Sequence, residues 1–185
     1  MIYIGFKNCK NTAEEMHNAG IDLRDCMLNK LCDNYSPEKI TYTPKGKPLY
    51  EGVGFSVSHS DGAVAVAVNI GEEKRDTNED WQTFSGGTDF SVGVDIEPAN
   101  RRVDANKLSK RFLSEKESEY VAGDNVRFLE IWTKKESVSK LTGEGVASIG
   151  HFCTFTLNNI CIETRRVMLG GKEYIVSVSY YKTLD

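Results

Sequence analysis

Residues 91–98 constrain the fold of this chain more than any other stretch. Apolar residues alternate there with Gly93, Asp95 and Glu97, which is the period of two of a β-strand. Asp95 and Glu97 therefore project from the same face, where two carboxylates repel each other unless they share a metal ion or basic side chains. The alternative is a solvated polar face on a half-exposed strand, and we expect Asp95 to be partly solvated. Pro98 predicts that the strand ends directly after the two acids.

The composition is that of a soluble globular protein. The chain has 185 residues, 39% of them hydrophobic and 27% charged, with a net charge of −4. These values fit one domain or two small halves packed together, and they argue against a broad nucleic-acid-binding surface. The sequence lacks the long apolar run of a membrane span. Its five cysteines form no C-x-x-C pair, which argues against a disulfide framework or structural zinc. We predict a cytoplasmic protein that acts as a monomer and binds neither membranes nor nucleic acid.

The first part of the chain predicts a strand, a helix and a hairpin. Residues 1–7 are typical of a strand, and Thr12 precedes two acids in a way that favours the start of a helix, with Gly20 as a candidate break. An alternating segment at 55–62 and a run of small apolar residues at 63–68 predict two hairpin strands, the second buried on both faces.

The charged segment at 69–90 interrupts this pattern, and we interpret it as a long exposed loop or a partly disordered linker at the boundary of two halves. Trp81 and Phe84 are the residues in it that could tether it to the body. After the acidic strand, helical spacing predicts a long helix at about 126–141 that ends at a glycine-rich stretch. The tail returns to strands at 152–157, 160–167 and 174–181. This order of elements predicts the α+β class.

The long helix carries residues that give the acidic strand a chemical interpretation. Trp132, Glu136 and Lys140 are spaced four residues apart and share one helix face. Adding Glu136 to Asp95 and Glu97 gives three carboxylates, a set that suits Mg²⁺ with phosphate oxygens in its remaining positions. Lys140, one turn further on, would meet the phosphate charge. The alternative is an ordinary surface pair of Glu136 and Lys140.

Glu117 allows two interpretations. Ser114, followed three residues later by Glu117, forms a capping box, which is the interpretation that local physics favours. A glutamate near a metal–phosphate site could instead accept a proton from an incoming hydroxyl.

Ser58, His59 and Lys47 are candidates for phosphate binding. A hydroxyl, an imidazole and an ammonium group can all donate hydrogen bonds to phosphate oxygens. The alternative for His59 is a hydrogen-bonded structural histidine. The segment also lacks the G-x-S-x-G signature of a serine hydrolase.

Five segments, in order, resemble the signature motifs of the 4′-phosphopantetheinyl transferases, in particular the surfactin-synthetase-activating type. The segments are 46–48, 55–60, 92–97, 111–117 and 132–140. The resemblance implies a pseudo-dimer of two similar α+β halves with the site between them. The N-terminal half, 1–90, would hold the nucleotide-binding motifs, and the C-terminal half, 91–185, would hold the Mg²⁺-binding and catalytic motifs.

The activity that the resemblance implies is transfer of the 4′-phosphopantetheine group from coenzyme A to a serine of an acyl or peptidyl carrier protein, with release of adenosine 3′,5′-bisphosphate. Mg²⁺ would be the cofactor and coenzyme A the co-substrate. Asp95, Glu97 and Glu136 would hold the metal ion together with the pyrophosphate. Glu117 and Lys140 would be the catalytic residues, the first as general base and the second as a phosphate ligand.

Lys47, Ser58 and His59 would hold the nucleotide end of coenzyme A, including its 3′-phosphate, and Lys140 would complete the set that binds coenzyme A. Two other functions stay open. One is a non-catalytic coenzyme A- or nucleotide-binding relative with a regulatory role. The other is a different Mg²⁺-dependent phosphotransferase, for which the chain has neither a P-loop nor a kinase signature.

Overall fold

The structure, a computed structural model, describes residues 1–71, 79–84 and 90–182. Its elements confirm the α+β class. Those of the first part are β1 (Ile2–Asn8), α1 (Ala13–Leu31), a 3-10 helix (Pro37–Lys39), β2 (Thr41–Tyr42), β3 (Pro48–Leu49), β4 (Gly54–Ser60), β5 (Ala63–Asn69) and β6 (Gln82–Phe84). Those of the second part are β7 (Val92–Pro98), α2 (Ala105–Phe112), α3 (Glu115–Val121), α4 (Asn125–Thr142), a second 3-10 helix (Val146–His151), β8 (Ile160–Leu169) and β9 (Lys172–Tyr181).

The first sheet is antiparallel, with the strand order β4-β5-β1-β6. The hairpin of β4 and β5 turns at Asp61 and Gly62, whose φ angles of 47° and 80° suit the Asp-Gly turn of a tight hairpin. As predicted, β5 is buried on both faces. Helix α1 covers one face of the sheet and continues through Gly20, so the predicted break there is wrong. A Cβ at Gly20 would lie 3.1 Å from Cγ1 of Val57, so the glycine lets the helix lie close to the sheet.

The charged segment differs in part from the prediction. Strand β6 lies inside it and pairs with β1, with Ile2 opposite Phe84. Phe84 is buried in the core between the sheets, and Trp81 packs edge-on against Tyr3. The expected tethering is confirmed, and a continuous exposed loop over 69–90 is wrong, although part of that range lies outside the described residues.

The second sheet has the order β7-β9-β8 and is covered by α4. A close approach between α4 and β7 is set by Gly93, because a Cβ at this position would lie 1.9 Å from the carbonyl oxygen of Ser137. On β9, Ser179 exchanges a hydrogen bond of 2.6 Å with the Ser137 hydroxyl. Small residues therefore bring the predicted helix face close to the acidic strand.

The predicted strand at 152–157 is wrong, because this segment forms turns. Its backbone groups bond to buried side chains instead of to a neighbouring strand. The carbonyl of Phe152 accepts a hydrogen bond from the ammonium of Lys135, and the N–H of Thr154 donates to Glu117 over 2.8 Å.

Strands β4 and β7 meet where the two sheets adjoin, and three serines of β4 bridge them. The N–H of Val94 donates to the Ser56 hydroxyl over 3.1 Å. Further along, the hydroxyls of Ser58 and Ser60 donate to the carboxylates of Asp95 and Glu97, as described below. This junction places residues of the first sheet beside the acids of the second.

Candidate active site

The two acids of β7 are buried. Asp95 is 6% exposed and Glu97 is 7% exposed, so the expectation that Asp95 is partly solvated is wrong. Ser60 donates a hydrogen bond of 2.7 Å to Glu97, and Arg101 forms an ion pair with the same carboxylate. Burial raises the pKa of the Glu97 carboxyl, and Ser60 and Arg101 oppose that shift. The strand thus presents two carboxylates in a low-dielectric setting, and the neighbouring side chains offset only part of the cost of burying their charge.

Lys140 of α4 reaches across to the acidic strand. Its ammonium lies 2.8 Å from Oδ1 of Asp95 and 2.7 Å from the hydroxyl of Ser58, which itself donates to the same Oδ1 over 2.8 Å. The second oxygen of Asp95, Oδ2, is buried and has no hydrogen-bond partner among the described residues. A buried carboxylate oxygen without a donor is costly unless a ligand satisfies it.

Glu136 lies one turn before Lys140 and is half-buried. The pKa of its carboxyl is raised to about 7, mainly by burial and also by the charges of Asp95 and Glu97, while the charge of Lys140 opposes the shift. Within the described part of the chain, Glu136 has no hydrogen-bond or ion-pair partner. Three acids with too few cations form a local excess of negative charge.

These side chains surround one opening, which we call the acidic cavity, of about 310 Å³. Its lining is Val57, Ser58, His59, Asp95, Glu97, Trp132, Glu136 and Lys140. The structure therefore brings together all three predicted metal ligands, Lys140, and two of the three residues predicted for the nucleotide end. His59 is exposed at the edge of β4.

A second opening, which we call the glycine cavity, measures about 330 Å³ and shares Val57, Glu136 and Lys140 with the acidic cavity. Residues 45–48 line its other side, including Lys47, whose ammonium donates to the carbonyl of Leu141 near the end of α4. Gly143 and Gly145 line it as well, with φ angles of 72° and 78°. The two cavities therefore adjoin each other along α4.

Glu117 does not line either opening. Its side chain is fully buried at the start of α3, where it completes the predicted capping box with Ser114. Its Oε2 accepts hydrogen bonds from the N–H and hydroxyl of Ser114, over 2.8 and 2.9 Å, and lies 3.0 Å from the ammonium of Lys135. Its Oε1 accepts two hydrogen bonds of 2.8 Å from Thr154. The capping interpretation is confirmed, and the role as a base stays a prediction.

The acidic cavity fits a hard divalent cation by its chemistry. Its donors are carboxylate oxygens, which Mg²⁺ prefers, and Oδ2 of Asp95 is buried without a partner. As the side chains stand in residues 1–71, 79–84 and 90–182, no group of three acidic, histidine or cysteine side chains is close enough to hold a metal ion. The cavity therefore contains suitable ligand groups, but their oxygen atoms do not lie close enough together to surround one ion.

Sequence reasoning missed several residues of the site. Ser60 and Arg101 hold Glu97, and Lys135 holds Glu117. The position of Arg101, four residues after Glu97, could have indicated the ion pair between them. The hydrogen bond from Ser60 could not be predicted in this way, because it depends on how distant strands lie together.

A buried acidic strand that faces a glutamate and a lysine on one helix face supplies the types of side chain that can bind a divalent cation and phosphate oxygens. The family model of the 4′-phosphopantetheinyl transferase superfamily matches residues 91–183, which contain β7 and the helices that follow. The chain belongs to the 4′-phosphopantetheinyl transferase superfamily.

The chain is also similar to a curated protein, the 4′-phosphopantetheinyl transferase HetI of Nostoc sp. strain PCC 7120. The two are 28% identical over 122 residues, which cover 60% of this chain and 44% of HetI. The match thus spans less than half the length of that relative. Neither comparison distinguishes the surfactin-synthetase-activating type, which stays a prediction.

Proposed function

We propose that this chain transfers the 4′-phosphopantetheine group of coenzyme A to a serine of an acyl or peptidyl carrier protein and releases adenosine 3′,5′-bisphosphate. The observation that carries the proposal is the contact of Lys140 with Asp95 inside the acidic cavity, in a chain of this superfamily. A lysine held beside buried carboxylates can bind phosphate oxygens while a cation occupies the carboxylates.

In the proposed reaction, the serine oxygen of the carrier forms a bond to the phosphorus that bears the pantetheine arm. The bond from this phosphorus to the bridging oxygen of the pyrophosphate breaks, and the adenosine 3′,5′-bisphosphate leaves with that oxygen. The serine proton passes to a carboxylate. Glu117 is the base that the family resemblance implies, and Glu136 is the carboxylate that lines the acidic cavity without a hydrogen-bond partner in the described chain.

We assign the metal ligands to Asp95, Glu97 and Glu136, because all three line the acidic cavity. Mg²⁺, when bound there, would neutralise the charge of the pyrophosphate. Ser58 orients Asp95 by its hydrogen bond, and Arg101 and Ser60 hold Glu97. These contacts position the carboxylates before any ligand arrives, which is the main contribution that a protein makes to phosphoryl-type transfer.

We place coenzyme A across the two adjoining cavities. Lys140 and Ser58 would meet the pyrophosphate, and Lys47 and His59 would hold the charged nucleotide end. We further propose that residues 1–90 and 91–185 are the two halves of a pseudo-dimer, since each contributes a sheet with a covering helix and the acidic cavity lies between them.

We also propose a cytoplasmic monomer whose macromolecular partner is the carrier protein. None of the helices in the described part of the chain combines the length and apolar composition that a membrane span requires.

A transfer assay tests the function. The chain is incubated with coenzyme A, Mg²⁺ and a panel of apo acyl and peptidyl carrier proteins, and intact-protein mass spectrometry detects addition of one phosphopantetheine group. We expect modification of at least one carrier, loss of it with EDTA, and loss of it in Asp95→Asn. Glu115→Gln, which changes an exposed acid on α3 outside both cavities, is the matched control and should keep the activity.

Calorimetry with coenzyme A distinguishes the transferase from the non-catalytic coenzyme A-binding alternative. Binding of coenzyme A without modification of any carrier would favour the non-catalytic relative and overturn the transferase. Modification that survives EDTA would remove the metal from the proposal.

A further inference from the structure

Lys135 and Glu117 form an ion pair in which both side chains are fully buried. The ammonium of Lys135 also donates to the carbonyl of Ile149 over 2.9 Å and to the carbonyl of Phe152, and it lies over the Phe152 ring. It therefore has three oxygen partners, which is the donor capacity of an ammonium group.

Glu117 is satisfied to the same degree. Its two oxygens accept four hydrogen bonds from Ser114 and Thr154 in addition to the contact with Lys135. An incoming hydroxyl would have to displace one of these donors and enter a position that solvent does not reach. Burial raises the pKa of Glu117, but the hydrogen bonds from Thr154, Ser114 and Lys135 outweigh it and lower the pKa overall. This carboxylate is thus stabilised in its charged form.

The pair also connects two parts of the site. Lys135 directly precedes Glu136 on α4, and consecutive helical residues point about 100° apart. Burying Lys135 toward α3 and the segment at 149–154 therefore fixes the rotation of α4 that turns Glu136 and Lys140 into the acidic cavity. The same contacts hold the end of the second 3-10 helix, at Ile149 and Phe152, and the first residue of that helix, Val146, lines the glycine cavity.

We propose that Lys135 is a positioning residue for the transfer reaction and that Glu117 acts through it, by setting the rotation of α4, instead of accepting the serine proton. This inference rests on the proposed function and deepens it. It assigns a role to Lys135, and it separates the chemistry of the acidic cavity from the buried ion pair behind it.

A pair of substitutions tests the proposal. Lys135→Met leaves a buried carboxylate without its cation, and Glu117→Gln leaves a buried ammonium without its anion. The double variant Glu117→Gln/Lys135→Met removes both charges and keeps an oxygen that can accept from Thr154. We expect each single variant to lose about 100-fold in kcat/KM, the order of effect of misplacing reacting groups, and the double variant to recover to within about 10-fold of wild type.

Trp132 supplies a readout that does not depend on activity. It lines the acidic cavity one turn before Glu136 and stacks against Phe128. In a Trp81→Phe background it is the remaining tryptophan, because the chain has two. Its emission maximum should shift in each single variant and return in the double variant.

Three outcomes would overturn the proposal. The first is a folded double variant with normal Trp132 emission that is as inactive as Glu117→Gln, which would make Glu117 a participant in the chemistry. The second is a Lys135→Met variant with unchanged kcat/KM and emission.

The third concerns Thr154→Val, a milder change for use if the single variants fail to fold. It removes one hydroxyl donor to Glu117 and should lower kcat/KM several-fold with a shift in emission, whereas Thr156→Val, whose hydroxyl bonds to Cys153, should change neither. Identical behaviour of the two threonine variants would contradict the proposal.

The test also distinguishes this inference from the proposed function. If the wild-type chain transfers nothing to any carrier, the function fails. The Trp132 emission of the same variants still reports whether Lys135 and Glu117 set the rotation of α4.

Discussion

The ammonium of Lys140 lies 2.8 Å from Oδ1 of Asp95, so a helix residue neutralises a buried carboxylate on the facing strand. Ser58 bonds to both partners from a third element. Before any ligand binds, Lys140 therefore supplies the positive charge that Asp95 needs.

Lys140→Met should destabilise the protein in a buffer with EDTA. The substitution leaves Oδ1 of Asp95 with the Ser58 hydroxyl and Oδ2 with no donor among the described residues. A buried acceptor that loses its partner costs about 1–3 kcal/mol, and the 30% exposure of the Lys140 side chain favours the lower end. Urea denaturation measures the change. Lys134→Met, on the same helix but outside both cavities, is the control, and an equal loss in the two variants would contradict the role of Lys140.

Glu136→Gln should have the opposite effect in EDTA. Removing this charge relieves repulsion from Asp95 and Glu97, and after allowance for solvent screening the free energy of unfolding at pH 8 should rise by about 1–2 kcal/mol. Added Mg²⁺ should raise the melting temperature of wild type more than that of the variant, because a ligand stabilises the state that binds it. Thermal scans with and without Mg²⁺ check this, and an equal shift in both proteins would remove Glu136 from the ligand set.

Gly93→Ala should separate α4 from the acidic strand. The new Cβ would lie 1.9 Å from the carbonyl oxygen of Ser137 and 2.6 Å from the N–H nitrogen of Leu141, so backbone must move. We expect a loss of about 3 kcal/mol in the free energy of unfolding, the upper end for overpacking. Gly150→Ala is the control, since its Cβ would lie 3.6 Å from the nearest atom, and it should stay within about 0.5 kcal/mol. A tolerated Gly93→Ala would mean that the helix and strand adapt to each other.

The local parts of the site could be predicted from the sequence. Alternation placed Asp95 and Glu97 on one face, and the spacing of four placed Glu136 and Lys140 on one face, because both patterns follow from the geometry of a single element. That these two faces meet follows from the family resemblance, and the structure brings them to the same cavity.

Burial and partners could not be predicted in the same way. Asp95 is buried because the edge strand β4 brings Ser58 against it from 37 positions away in sequence. The segment at 152–157 alternates like a strand, but its backbone groups bond to Lys135 and Glu117. In both cases tertiary contacts decide the outcome, and a local pattern contains no information about them.

Protonation of Glu117 should lower the stability of the protein in acid. Its pKa in the folded state lies below the ordinary value of 4.5, although burial alone would raise it, because hydrogen bonds from Thr154, Ser114 and Lys135 favour the charged form. A carboxyl whose pKa is lowered by folding contributes stability that is complete above its unfolded pKa and is lost as the pH falls through its folded pKa. The contribution should therefore be present above pH 4.5 and decline below it.

The measurement is urea denaturation from pH 7 to pH 3 in wild type, in Glu117→Gln/Lys135→Met and in Glu115→Gln. The free energy of unfolding of the double variant should depend less on pH below 4.5 than that of wild type, because its buried pair has no charge to titrate. Glu115→Gln changes an exposed acid in the same helical turn and should follow the wild-type profile. Parallel profiles for wild type and the double variant would show that Glu117 is not a source of the acid sensitivity, and a flattened profile in Glu115→Gln would assign that sensitivity to the helix terminus.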